Sequence, residues 1–202
     1  MNHYSQSSED KVIQNYFGLY KGVLLDIGAN DGKTFSNSLA LIEKGWEGVL
    51  VEPAPKAFDK LCELHKGNPF VKPLNVAIGT ENEAADFWDM GQHVGNGDSS
   101  LLSTMKESET GRWVGTEFTK IKVRCVDYAS FLEFSPVKSF DFITIDAEGQ
   151  DISILRQIDL SAVKCLCIEW NGNEGDLAVI RSIVPVEMKE IYRSLENVIF
   201  AR

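Results

Sequence analysis

The stretch LLDIGANDGKT, residues 24–34, sets glycines and carboxylates directly after an apolar run. A loop that wraps phosphate in backbone N–H groups reads Gly, four residues, Gly-Lys-Ser/Thr. Here Gly28 and Gly32 enclose only Ala29, Asn30 and Asp31 before Lys33-Thr34. Asp31 also brings a carboxylate for which a phosphate cradle has no use. A dinucleotide loop reads G-x-G-x-x-G, and Asn30 stands where the second glycine belongs. Asp26 and Asp31 would add negative charge beside a pyrophosphate. A ligand with an ammonium and a sulfonium tolerates that charge, and S-adenosyl-L-methionine carries both. Glu52 follows Gly32 by 20 residues, in VLVEP. From there a carboxylate can accept both ribose hydroxyl protons of an adenosine ligand. A solvated or ion-paired glutamate is the other reading of Glu52.

Methyl transfer from a sulfonium is an in-line displacement, so a site must align the acceptor and help remove its proton. Asp146 ends the apolar run FDFITID, beside the expected sulfonium; its alternative is a helix cap. Glu148 is a general base or a hydrogen-bond acceptor for substrate, or a first-turn carboxylate that complements a helix dipole. Glu169 closes a later apolar run, CLCIEW. His93, in the Gly-rich segment MGQHVGNGDSSLLS, is a base or a solvated loop histidine.

These residues sit where strands and helices alternate. GVLLDIG, EGVLVEP, FVKPLNVAIG, FDFITIDAEG and VKCLCIEW read as five strands. TFSNSLALIEKG, PKAFDKLCELHKG, DISILRQID and GDLAVIRSIVP read as helices, with Gly45 ending the first and Pro55 opening the second. Such alternation predicts a parallel sheet with helices on both faces. Pro73 suits an edge position or the start of the third strand. EMKEIYRS and ENVIFAR form a closing hairpin about Leu195 to Asn197, too short a connection for two parallel strands. Ser8 is positioned to cap a helix with Val12, Ile13, Tyr16 and Phe17 on its apolar side. The expected layout is one domain over 1–202, with an N-terminal helical segment at 1–20. An insertion at 80–127 would cover the substrate site.

With 202 residues the chain is long enough to bury a core, and its formal net charge is −10. That charge argues against broad contact with nucleic acid or anionic lipid. The polar start has no signal-peptide core and no run is long enough to span a membrane, so a cytoplasmic protein is expected. Cys62, Cys125, Cys165 and Cys167 form no Cys-x-x-Cys pair. Cys165 and Cys167 read as buried small apolar side chains on one face of a strand.

SQSSED, GVLLDIGANDGKTFSNS, GWEGVLVEPAPKAF, NVAIG, DSSLLS, FDFITIDAEGQDISILRQID, CIEW and ENVIFAR together resemble the FkbM-type S-adenosylmethionine-dependent methyltransferases, over nearly the whole chain. The resemblance implies the Rossmann-like class I methyltransferase fold, a seven-stranded α/β sheet in the order 3-2-1-4-5-7-6 with strand 7 antiparallel. It implies O-methylation of a sugar hydroxyl or another small polar or glycan acceptor. Ser36 and Asn37 would help hold the methionine end of the cofactor, or pack and cap locally. Gln6 and Asp10 fall on an N-terminal pattern that folds over cofactor or substrate. The family's IDVEG is IDAEG here.

The resulting cofactor set is Asp26, Gly28, Asn30, Asp31, Gly32, Ser36, Asn37, Glu52, Asn75, Ala77 and Asp146, with Asn75 and Ala77 as the adenine wall. Phe87 and Trp88 read as packing. Asp146 with Glu169 and Asn171 loosely resembles the carboxylate-plus-amide set that holds magnesium in catechol-type methyltransferases. A polar pocket without metal is the expectation. Two other functions remain in view. An NAD-linked oxidoreductase is disfavoured by the loop and by the lack of any Tyr-x-x-x-Lys pair. A non-catalytic adenosine-binding module is disfavoured by Asp146 and Glu148.

Overall fold

The computed structural model describes residues 3–92, 101–112 and 115–202. In chain order its elements are α1 (Glu9–Phe17), β1 (Val23–Ile27), α2 (Leu39–Glu43), β2 (Glu47–Val51), α3 (Pro55–Leu64), β3 (Val71–Leu74), β4 (Ala77–Ile78) and β5 (Ala84–Gln92). There follow α4 (Glu107–Thr110), β6 (Glu117–Val126), α5 (Tyr128–Phe134), β7 (Phe142–Ile145), α6 (Asp151–Leu155), a 3-10 turn (Leu160–Ala162), β8 (Cys165–Glu169), α7 (Glu174–Ile183), β9 (Lys189–Arg193) and β10 (Asn197–Ala201).

The main sheet has seven strands in the order β3-β2-β1-β7-β8-β10-β9. Only β10 runs antiparallel to its neighbours. Numbered within this sheet, the order is the expected 3-2-1-4-5-7-6 with strand 7 reversed. Its central strands are mostly apolar because both faces are covered, Asp26 and Thr144 being the polar exceptions in β1 and β7. Leu25, Ile27, Ile143 and Ile145 point into one layer, with Phe131 of α5, Ile154 of α6 and Ile180 of α7. Leu24, Phe142, Cys165 and Cys167 point into the other, with Ile13 and Phe17 of α1, Ile42 of α2 and Leu61 of α3. Each fully buried side chain of this size contributes roughly 1.5–3 kcal/mol. The free cysteines 165 and 167 thus share one buried face.

Four local expectations are corrected. The run 70–79 is not one strand: the chain leaves the main sheet after Leu74, and β4 joins a second sheet in the order β4-β6-β5. Asn75 makes that break, its amide donating to the carbonyls of Glu52 and Pro53 at 2.8 and 3.2 Å. The helix predicted from Thr34 starts only at Leu39, because Asp31 and Ser36 fold the preceding residues into turns. Ser8 has a left-handed backbone, φ 73°, and makes no side-chain cap. Asp10 and Ser5 bond reciprocally instead: Ser5 Oγ donates to the carboxylate at 2.8 Å and accepts the Asp10 amide at 3.1 Å. Lastly, α5 forms where the alternation predicts nothing, capped by Asp127 accepting the Ser130 amide.

The stretch 80–127 supplies β5 and β6 of the second sheet. Its β5 and β6 pair antiparallel, and β4 pairs parallel with the end of β6, Ala77 beside Cys125 and Ile78 beside Val126. This sheet lies over the carboxyl ends of the main strands, tied down where Thr104 Oγ1 donates to the Glu148 carbonyl at 2.7 Å. No described helix is long and apolar enough to cross a membrane.

Candidate active site

The loop after β1 spends its amides on the protein itself. Those of Gly28 and Ala29 donate to the Val51 carbonyl at 2.9 and 3.0 Å. The Asn30 amide donates to Glu52 Oε2 at 2.8 Å, while the Ala54 amide takes Glu52 Oε1 at 2.7 Å. Gly32 bonds back to Ala29 at 2.8 Å. Lys33 and Thr34 both donate to Asp31 Oδ1, at 2.8 and 2.7 Å. Few N–H groups remain to face a phosphate, whose binding depends on them.

The two glycines serve the same loop differently. Gly28 has φ +86°, and a Cβ there would collide with the Asp146 carbonyl oxygen, so it permits the close approach of β1 to the end of β7. Gly32, φ +76°, faces Leu61 of α3, and a Cβ would collide with that side chain.

Between this loop, the ends of β1, β2, β7 and β8, and the second sheet lies a cavity of ≈ 240 Å³. Asp26, Gly28, Asn30, Ser36, Asn37, Glu52, Ala77, Asp146, Glu148 and Glu169 border it, as does Gln6 of the N-terminal segment. Asp31, Gly32 and Asn75 do not: Asp31 shapes the loop, Gly32 seats it on α3, and Asn75 braces the ends of β2. Asp10 is buried, accepting from the Tyr4 amide and Ser5 hydroxyl. His93 lies outside the described residues. Sequence reasoning missed Phe35, Met105, Thr144 and Glu196, which border the cavity; Phe87 packs as expected, buried with Ala54, Ala57 and Ala77, and borders the cavity as well. Val76, Ala77, Ile78, Phe87 and Met105 make its apolar wall. The spacing of apolar residues in β5 gave no sign of which face would meet a ligand.

The cavity is strongly acidic. Asp26, Glu52, Asp146, Glu148, Glu169 and Glu196 border it, and no lysine or arginine does among the described residues. Burial pushes Asp26 up to about 6, against the Ser38 hydroxyl that donates to it at 2.5 Å. Burial pushes Glu52 up to about 8, with the Ala54 and Asn30 amides pulling the other way. Asp146 rises to about 7 through burial and then the charges of Asp151 and Asp26. Glu148 and Glu169 are raised well above the carboxylate range by burial and then by Asp146. One carboxylate oxygen from each of Asp146, Glu148 and Glu169 lies within 4.8 Å of the others. The amide oxygens of Asn30 and Asn37 are buried without a hydrogen-bond partner. A cation with hydrogen-bond donors would draw these carboxyl groups toward their ionised form, whereas the site offers a phosphate no described cationic side chain.

A family model described as the Methyltransferase FkbM domain matches residues 26–198. The chain belongs to the FkbM methyltransferase family. No curated protein matches it. Among solved structures it is similar to the methyltransferase FkbM from Methylobacillus flagellatus KT, with a TM-score of 0.55 and 12% identity. That likeness covers 90% of this chain and 44% of the Methylobacillus protein, so the chain spans under half of that protein's length. It is similar also to the ribosomal protein L11 methylase from Lactobacillus delbrueckii subsp. bulgaricus, with a TM-score of 0.52, 10% identity and coverage of 100% and 79%. The Thermus thermophilus 16S rRNA methyltransferase RsmC, solved with AdoMet and guanosine, gives 0.52 and 13% identity over 96% of this chain and 41% of its own. These likenesses share the fold.

In this FkbM domain a second cavity, of ≈ 400 Å³, adjoins the first. Lys106, Arg112, Asp151, Trp170, Asn173 and Asp176 border it, and Glu169 and Asn171 border both. Arg112 pairs with Glu109 at 2.6 Å. Asp151 accepts the Ala147 and Gly149 amides at 2.8 and 3.0 Å, which fixes the turn that carries Glu148.

Proposed function

We propose that this methyltransferase uses S-adenosyl-L-methionine and methylates a hydroxyl of a sugar or another small polar acceptor. The observation that carries the reading is the first cavity: six bordering carboxylates, no described cationic side chain, and a loop with its amides already spent. That chemistry favours a sulfonium ligand over a nucleotide phosphate or a pyrophosphate. AdoMet bound to RsmC, on a similar fold, supports it.

Glu52, held by two amides, keeps its remaining lone pairs for ribose hydroxyls. The apolar wall at Ala77 and Phe87 takes the adenine. Asn30 and Asn37 offer unpartnered amide oxygens to donors on the ligand. Bound there, the cofactor supplies a methyl carbon on a good leaving group. Asp146 and Glu148 face the acceptor, and Glu148 takes the hydroxyl proton as the oxygen–carbon bond forms and the sulfur–carbon bond breaks. The second cavity, with Asn171, Asn173 and Asp176, offers a polyhydroxyl acceptor hydrogen-bond partners. A nucleic-acid or membrane partner is not part of this reading, given the net charge of −10.

Calorimetric titration with S-adenosylhomocysteine, beside NADH and ATP, tests the cofactor. Micromolar binding of the first alone is the expected result. NADH binding in its place would reverse the assignment. Acceptor screening by methyl transfer, sugars first, then tests the hydroxyl class.

A further inference from the structure

Asp146 and Glu169 follow register-paired positions on neighbouring strands, Ile145 of β7 lying beside Ile168 of β8. Glu148 comes two residues after Asp146, in a turn where its own φ is 45°. Asn171 hydrogen-bonds the Glu169 carboxyl group, and the Arg112 charge reaches Glu148. Asp151 holds the Ala147 and Gly149 amides, and Arg112 is paired with Glu109. Thr104 bonds to the Glu148 carbonyl, not to its side chain. Glu169 Oε2 is buried and has no hydrogen-bond partner. A buried carboxylate oxygen without a donor requires a proton or a cation.

The geometry fits a cation. Hard divalent cations take oxygen ligands at about 2.0–2.6 Å, so two ligands on one ion lie at most about 5 Å apart. The oxygens of Asp146, Glu148 and Glu169 fall within 4.8 Å of one another. They also lie where the two cavities meet, since Glu169 borders both. An ion held there keeps further coordination positions toward the second cavity. We propose that Asp146, Glu148 and Glu169 bind a divalent cation at this junction, and that the cation takes the acceptor hydroxyl oxygen as a ligand. The acceptor role rests on the methyl-transfer reading; the cation site itself does not. The ion would lower the pKa of the bound hydroxyl. Its proton passes to the Glu148 oxygen that is not on the ion, and the methyl carbon moves from sulfur to oxygen.

The test is an electron paramagnetic resonance titration of the full chain with manganese(II), alongside calorimetry with S-adenosylhomocysteine. The expected result is one manganese site per chain, competed by magnesium or calcium. Glu169→Gln should weaken it by more than about tenfold, with S-adenosylhomocysteine affinity unchanged within about twofold. Should Glu169→Gln not fold, Glu148→Gln reads the same loss. Wild-type protein that binds S-adenosylhomocysteine but no manganese overturns the cation site and leaves the methyl-transfer reading standing. Manganese binding that is the same in both variants also overturns it, since the ion then lies elsewhere. Manganese binding lost in the variants, with no S-adenosylhomocysteine binding, upholds the site and removes its link to methyl transfer.

Discussion

Glu52 Oε2 accepts the Asn30 amide at 2.8 Å, so the end of β2 and the loop after β1 form one hydrogen-bonded unit. The glutamate therefore shapes the loop as well as bordering the cavity. A ligand that bonds to it meets a carboxylate already fixed by the backbone, with little rotamer freedom left to lose.

Replacing Glu52 should cost affinity and stability together. Glu52→Ala removes the acceptor for a ribose hydroxyl, worth about 1–3 kcal/mol for a hydrogen bond to a charged group. It also leaves the Asn30 and Ala54 amides unpaired. Calorimetry with S-adenosylhomocysteine and urea unfolding measure the two effects. Unchanged affinity would remove Glu52 from the binding site.

The acidic cavity sets a pH dependence. Asp26, Asp146 and Glu52 reach about 6, 7 and 8 in the fold, above their unfolded values near 4. The folded chain therefore keeps protons that the unfolded chain has lost, and stability falls as pH rises through that interval. The melting temperature of the ligand-free protein should drop from about pH 5 to 8. Glu52→Gln should flatten the upper part of the curve. A melting temperature that climbs over this range would contradict the charge assignment.

Gly28→Ala should be far worse than Gly67→Ala. Both positions have positive φ, but a Cβ at Gly67 meets open space and one at Gly28 meets the Asp146 carbonyl. The backbone cost alone is about 1–2 kcal/mol, and overpacking adds about 1–3 kcal/mol at Gly28. Denaturant midpoints of the two variants give the comparison. Equal losses would mean that the close approach of β1 to β7 has no energetic weight.

Asp10→Ala should loosen the N-terminal segment. Asp10 is buried and holds the Tyr4 amide and Ser5 hydroxyl, keeping Gln6 at the edge of the cavity. Hydrogen exchange of residues 3–8 should speed up, and S-adenosylhomocysteine should dissociate faster. Exchange as slow as in the parent protein would show that other contacts carry the segment.

The main sheet was legible because its central strands are buried on both faces and read as short, largely apolar runs such as VLLDI and FITI. The hairpin of β9 and β10 followed from its short turn alone. What local pattern did not carry was long-range pairing. Asn75 breaks the run 70–79 through bonds to Glu52 and Pro53, more than 20 residues away in sequence. Asp31 and Gly32 have the residue types of a binding loop, but their partners are Thr34 and Leu61. Phe87 packs as expected, and only the tertiary fold shows that it borders the cavity as well. Glu148 and Glu169 belong to segments whose motifs were plain, whereas their convergence with Asp146 depends on the register between β7 and β8.

The parallel pairing of β4 with the end of β6 brings the two ends of the covering segment side by side, closed by the Gly79 amide on the Val126 carbonyl at 2.9 Å. Chain enters and leaves the cover at adjoining points. Residues 80–124 can thus lengthen, shorten or be exchanged as a cassette while the frame around the glycine loop stays as it is. An exchange of that kind would also renew part of the first cavity's apolar wall, since Phe87 and Met105 lie within the exchanged stretch.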